Sequence, residues 1–256
     1  MQGRDMVMPT EFLHGLYDGG HGAGLEDYWE AMWHHPLSAG GFLWDFADEG
    51  VVRTDRNGEI DTDGNHGADG IVGPYHEKEG SYYAIKEIWS PVVFEAREIT
   101  PAFDGKLRIE NRFFYTNTSQ CSFEWRLAGL GVVKGPKDKI NQAVAPSLLP
   151  GEKGWLQLSL PGNWKEYGVL YVTVYDPHQR ELFTWSFPIV SPAQVAEKII
   201  VKQGSNAVTV STIDSVFHVA VSDLQLDIHR QSGLLLQVKT GKGVIPFNNG
   251  PVPEEA

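Results

Sequence analysis

The chain has 256 residues, a mass of 28.4 kDa, 41% hydrophobic residues and a formal net charge of −12 with a pI near 5.1. That length can bury a real core as one large domain or roughly two to three small ones, and the acidity opposes a nucleic-acid partner, which relies on clustered Lys and Arg to displace phosphate counterions. The single cysteine, Cys121, cannot close an internal disulfide and does not fix the compartment. Apolar runs such as GLLLQV and YGVLYVTVY fall well short of the roughly 20 residues that span a bilayer, so no membrane span and a soluble chain are expected. The opening MQGRDMVMPTEF lacks the apolar core of a signal peptide; localisation stays unknown, because such a peptide would precede Met1.

In chain order, MVMPTEF reads as a short buried strand followed by a Gly-rich loop. Leu25, Tyr28, Trp29, Met32 and Trp33 then recur at i, i+3, i+4, i+7 and i+8, one apolar face of a helix closed by Pro36. GGFLWDFA is a second apolar strand, a long polar loop follows, and EKEGSYYAIKEIWSP is a second helix ending before Pro91. Strand, helix, strand, helix is the grammar of a parallel sheet, yet two such units leave most of the sheet surface wet.

From Val92 the period changes to two. Leu107 and Ile109, then Phe123, Trp125 and Leu127, then Leu156, Leu158 and Leu160, then Leu170, Val172 and Val174 alternate with polar partners, and LPGEKG, LPGNW and YDPHQ supply turns. About seven short strands over about 100 residues point to an immunoglobulin-like sandwich ending near Pro192. NAVTVS, FHVAVS, LQLDIH and GLLLQV repeat the strand pattern and resemble the start of another sheet.

PTEFLHG, then YWEAMWHHP, then GGFLWDFADEG resemble the seventh and eighth strands of the catalytic barrel of glycoside hydrolase family 2, the large β-galactosidases in particular. DGIVGP with KEGSYYAIKEIWSPV is similar to that barrel's exit, and LQLDIHRQSGLLLQV to the opening of the family's late β-sandwich domain. The resemblance implies a multidomain α/β plus all-β fold. Residues 1–91 would be the last two βα units of a TIM (β/α)8 barrel, residues 92–192 an immunoglobulin-like β-sandwich, and residues 193–256 the truncated start of a further β-sandwich. The N-terminal part of the same enzyme would then be a missing partner, and a homo-oligomer of the full-length protein stays open.

The resemblance also assigns roles. Glu11 matches the catalytic nucleophile, at a strand end where barrel active sites lie. A retaining glycosidase places that carboxylate about 5–5.5 Å from an acid/base partner. His14 matches a contact to the hydroxyls of the carbohydrate substrate, and Trp44 the aromatic platform for its apolar face. Alternation sets Phe42, Trp44 and Phe46 on one side and Leu43 and Asp45 on the other, while Asp45, Asp48 and Glu49 are read as orienting backbone or pairing with cations.

Asp61, Asp63, Asn65 and Asp69 have spacing reminiscent of a calcium loop, but His66 replaces the sharp-turn Gly and Val72 the bidentate Glu, which argues against an EF-hand. The family instead ends a longer loop here in an Asn-Gly whose Asn helps bind a monovalent cation. Asp69-Gly70 takes that place, so a monovalent or divalent cation at Asp69 is the only cofactor in view and none is required by the sequence. The family's acid/base Glu follows an Asn, and no Asn-Glu pair occurs in the chain. Other readings are a different family 2 specificity, such as β-glucuronidase or β-mannosidase, and a non-catalytic immunoglobulin-like carbohydrate-binding or adhesion protein.

Overall fold

The computed structural model of the chain describes residues 3–14, 22, 24–64, 66–200 and 206–247; most of the Gly-rich loop after His14, and Asn65, lie outside the described residues. The chain forms two compact units, Met1–Lys198 and Ile199–Ala256.

The first unit opens on two extended segments that run parallel. Val7 N–H donates to Leu37 O at 2.8 Å, Ala39 N–H to Val7 O at 3.0 Å, and Phe12 N–H to Phe42 O at 3.1 Å. The crossover between them is helix α1 (Leu25–Trp33), which buries Leu25 and Met32 and carries Glu26 and Asp27 in its first turn, where negative charge suits the helix dipole. Its Tyr28 ring packs on Phe12 at 5.9 Å. A third short segment continues the order, with Ala47 in a parallel bridge to Val72.

The expected buried strand over MVMPTEF is corrected in one respect. The segment pairs through isolated bridges and is exposed, with Met6 79% and Met8 49% accessible. The reason is physical: among the described residues its only bridges are to the 37–43 segment, so nothing covers its other edge. The long polar loop also holds structure. Strands β1 (Val51–Arg53) and β2 (Glu59–Asp61) form an antiparallel hairpin turned by Asn57 and Gly58 at φ 56° and 83°, left-handed values that Asn and Gly tolerate. Helix α2 (Gly80–Ile88) follows.

Seven strands come next: β3 (Val92–Phe94), β4 (Lys106–Asn111), β5 (Ser122–Ala128), β6 (Lys139–Ala143), β7 (Lys153–Gln157), β8 (Val169–Tyr175) and β9 (Glu181–Pro188). They form antiparallel sheets ordered β3-β4-β7 and β6-β5-β8-β9. The alternating residues of both sheets share one core, in which Ile109, Phe123, Trp125, Leu127, Leu156, Leu170, Val172 and Val174 are fully buried. Each such side chain contributes about 1.5–3 kcal/mol of burial, which makes this sandwich the best-packed part of the unit.

Ion pairs fasten the helices to it. Arg112, itself buried, donates to Glu30 of α1 at 2.5 Å and to Glu110 at 3.2 Å, with its guanidinium 5.2 Å from the Trp33 ring centre. Arg97 bridges Glu26 of α1 and Glu87 of α2, and Lys86 meets Glu181 at 3.0 Å. The Arg112 hydrogen bond holds the Glu30 carboxyl below the usual carboxylate range. Helix α3 (Pro192–Ile199) follows β9.

The second unit is an antiparallel meander in sequence order: β10 (Thr209–Ile213), β11 (Val216–Val221), β12 (Leu224–His229), β13 (Leu235–Thr240) and β14 (Gly243–Pro246). Val210, Val219, Leu226, Val238 and Ile245 lie in register on one face. The other face carries a polar network around buried Asp227, which accepts from His218 at 2.6 Å, from Gln225 at 2.8 Å and from Gln237. Burial alone would push the Asp227 carboxyl up, but these hydrogen bonds prevail and hold it below the usual carboxylate range.

Candidate active site

The parallel segments end where the sequence-predicted site residues lie. Phe12 is anchored to Phe42, and Leu13 just beyond it adopts φ 57°, a left-handed value that is costly for a bulky residue. The next residue, His14, lies with Nε2 3.4 Å from Glu11 Oε1. Glu11 is 56% exposed and His14 only 20%, so the carboxylate faces solvent while the ring is packed.

His14 also lines a small cavity with Leu13, Leu43, Trp44, Asp69 and Ser81. Three of the four predicted residues, His14, Trp44 and Asp69, therefore share one wall, and Glu11 adjoins it through His14. Trp44 is 40% exposed, suited to a ring with one face packed and one wet. Exposure alternates as the strand pattern required: Phe42, Trp44 and Phe46 are open, while Leu43 and Asp45 are half-buried. The Trp44–Asp45 peptide bond is cis.

Asp69 is buried and, among the described residues, its Oδ1 has no hydrogen-bond partner; the buried Oδ1 of half-buried Asp45 likewise has none among them. Burial pushes the Asp45 carboxyl above its ordinary value, and the negative charges of Asp69 and Glu49 add to that. Unpartnered carboxylate oxygens are the donor chemistry that hard cations take, so the residues present fit the cation in type. In number they are few: no cluster of three or more His, Cys, Asp or Glu suited to a metal occurs among the described residues. Asp61 is already engaged, accepting from Arg53 at 2.5 Å and from the Asp63 N–H at 3.0 Å, while the Asp63 side chain points into solvent, 95% exposed.

Two residues here carry more than the sequence alone revealed. Asp48 Oδ1 accepts the Gly70 N–H at 2.9 Å, which gives substance to its reading as a backbone-orienting carboxylate. Ser81, buried in the first turn of α2, approaches the carbonyls of Ile71 at 3.0 Å and Gly70 at 3.3 Å; it was not singled out, because a Ser at a helix start is an ordinary feature.

Comparison with known proteins decides the kinship. Over 250 residues the chain is 24% identical to the β-galactosidase of Pectobacterium atrosepticum, covering 89% of the chain and 23% of the relative. Over 262 residues it is 24% identical to that of Yersinia enterocolitica, covering 92% and 24%. The chain is β-galactosidase-like. The Actinobacillus pleuropneumoniae β-galactosidase is 28% identical over 161 residues, 60% of this β-galactosidase-like chain and 15% of the relative. The chain thus spans a quarter or less of the length of these curated relatives. No family model matches. Among solved structures, the exo-chitosanase CsxA of Amycolatopsis orientalis aligns over 82% of the chain and 25% of its own, at 11% identity and a TM-score of 0.32. Among the described residues no helix is long and apolar enough to cross a membrane.

Proposed function

We propose that this chain is the C-terminal-side portion of a retaining glycoside hydrolase that cleaves terminal β-galactosides. In this reading residues 1–91 close a TIM barrel, residues 92–192 are an immunoglobulin-like sandwich, and residues 193–256 begin a further sandwich. The three-plus-four strand arrangement β3-β4-β7 and β6-β5-β8-β9 is compatible with an immunoglobulin-like order. The parallel order of segments 7–12, 38–43 and 47 with 72 is compatible with consecutive barrel units.

The observation that carries the reading is Glu11 lying against His14 beside the exposed Trp44 ring; the cavity that His14, Trp44 and Asp69 line is only about 10 Å³, room for one water, so the sugar would rest on the solvent side of His14 and Trp44 and not inside it. Chemically, Glu11 attacks the anomeric carbon as the glycosidic C–O bond breaks, and the leaving oxygen takes a proton from a second carboxyl group supplied by the preceding part of the enzyme. Water, giving a proton to that second carboxylate, then attacks the anomeric carbon and displaces Glu11 as a carboxylate. His14 offers both a donor and an acceptor to sugar hydroxyls and, at 3.4 Å, fixes the direction of Glu11. Trp44 presents its exposed ring to the apolar sugar face. Asp69 Oδ1, buried beneath His14 and Trp44, accepts from a water or holds a cation in the space it lines.

The test is kinetic. In the enzyme assembled with its barrel, Glu11→Gln keeps the shape and removes the nucleophile, so kcat on a nitrophenyl β-galactoside should fall by at least about a thousandfold with KM little changed. Retained turnover would refute the assignment. The isolated chain, lacking an acid/base partner, should hydrolyse no such substrate. Faster turnover of a β-glucuronide or β-mannoside would replace the galactoside specificity with its runner-up.

A further inference from the structure

We infer that Asp48 and Ser81 are positioning residues that hold the Asp69 carboxylate in the cavity it shares with His14 and Trp44. The inference rests on the reading of Glu11, His14 and Trp44 as the sugar site that this water-sized cavity adjoins, but its test does not depend on catalysis.

Asp69 belongs to a short connection, and among the described residues no hydrogen bond holds its own Oδ1. Something else must fix the carboxylate, because a buried and unpartnered oxygen is otherwise expelled toward water. The backbone just after it is gripped from both sides. Asp48 Oδ1 accepts the Gly70 N–H at 2.9 Å, and Ser81 Oγ lies 3.0 Å from Ile71 O and 3.3 Å from Gly70 O. Ser81 is 1% exposed, so its hydroxyl is committed to these carbonyls and not to solvent. The 45–48 segment completes the grip, with Ile71 N–H donating to Asp45 O at 2.9 Å and Asp48 N–H to Val72 O at 2.9 Å.

Gly70 makes the grip possible. A Cβ on this residue would stand 2.3 Å from Asp48 N and 2.4 Å from the Ala47 carbonyl carbon, both backbone atoms that cannot turn aside. The peptide of Asp69 and Gly70 is therefore pressed against the segment that bears Trp44, while Ser81 ties the next two carbonyls, of Gly70 and Ile71, to helix α2. A shift of either clamp moves Asp69 relative to Trp44.

The 256-residue chain, labelled with 5-fluorotryptophan and with 15N, gives two readouts: the 19F resonance of Trp44 and the hydrogen-exchange rate of the Gly70 amide. Asp48→Ala should speed Gly70 exchange by about tenfold or more and move the Trp44 resonance in the direction that Asp69→Ala moves it. Asp48→Asn, which keeps an oxygen acceptor, should restore both toward the wild-type values. Ser81→Ala should move Trp44 in the same direction while Gly70 stays protected by Asp48, and this variant carries the test should Asp48→Ala fail to fold. Equal effects of Asp48→Ala and Asp48→Asn, or a Trp44 resonance unmoved by Ser81→Ala, would overturn the clamp. Both readouts are independent of turnover, so failure of Glu11 as nucleophile and failure of the clamp are separate results.

Discussion

The sandwich and the segment before it are built from similar proportions of apolar residues and end in opposite conditions. In β5 and β8 each strand has a neighbour on both sides, and Phe123, Trp125, Leu127, Leu170 and Val172 are all fully buried. In the 42–46 segment the same kind of alternation leaves Phe42 58% and Phe46 66% exposed. The pattern of apolar residues decides which side chains share a face, but only neighbouring elements decide whether that face is dry. The sandwich closes on itself; helices α1 and α2 are fastened to it through Arg112, Arg97 and Lys86, while the parallel segments keep an open apolar face.

That contrast can be broken most severely from the sandwich side. Trp125→Ala empties a fully buried site, and a loss of about 3–5 kcal/mol is expected in denaturant unfolding. A smaller loss, about 2 kcal/mol, is expected for Arg112→Ala, since buried Glu110 keeps only the longer Lys153 contact at 3.6 Å while Glu30 can reach water. Limited proteolysis should then cut within residues 3–50 before the sandwich. The pH dependence sharpens the same point. Because the folded Glu30 carboxyl lies below its ordinary value, its contribution is complete above that ordinary value and disappears as pH falls through the lowered one. Arg112→Ala should remove this acid dependence, which parallel urea titrations of both proteins would reveal. Least affected should be Phe46→Ala, within about 0.5 kcal/mol, because the ring is already in water. A large loss there would mean that the open face is covered in solution.

The sandwich was legible because a period of two with turn residues between runs leaves little choice of fold. Both helices were legible as well: α1 from its apolar face and Pro36, α2 from the run that ends before Pro91. The hairpin β1-β2 lies within what the sequence pattern reads as polar loop, although Asn57-Gly58 announces a tight turn; its strands are three residues long, too short for alternation to register. The first segment reads as buried because its composition is apolar, whereas burial depends on a neighbour that composition does not reveal. At the site, Glu11, His14, Trp44 and Asp69 were all singled out, three of them now sharing a cavity wall. Ser81 was invisible for a different reason. Its partners lie 10 and 11 residues earlier in the chain, and only the folded return of α2 beside Gly70 and Ile71 brings them together.

The central claim, that Glu11 is the nucleophile of a retaining site, is tested most directly by trapping the covalent intermediate. The enzyme assembled with its barrel would be treated with a 2-deoxy-2-fluoro-β-galactoside, digested, and the labelled peptide located by mass spectrometry. The account predicts the label on the peptide containing Met8 to Gly15, at Glu11. A label on a different carboxylate, or a product of inverted anomeric configuration, would contradict it.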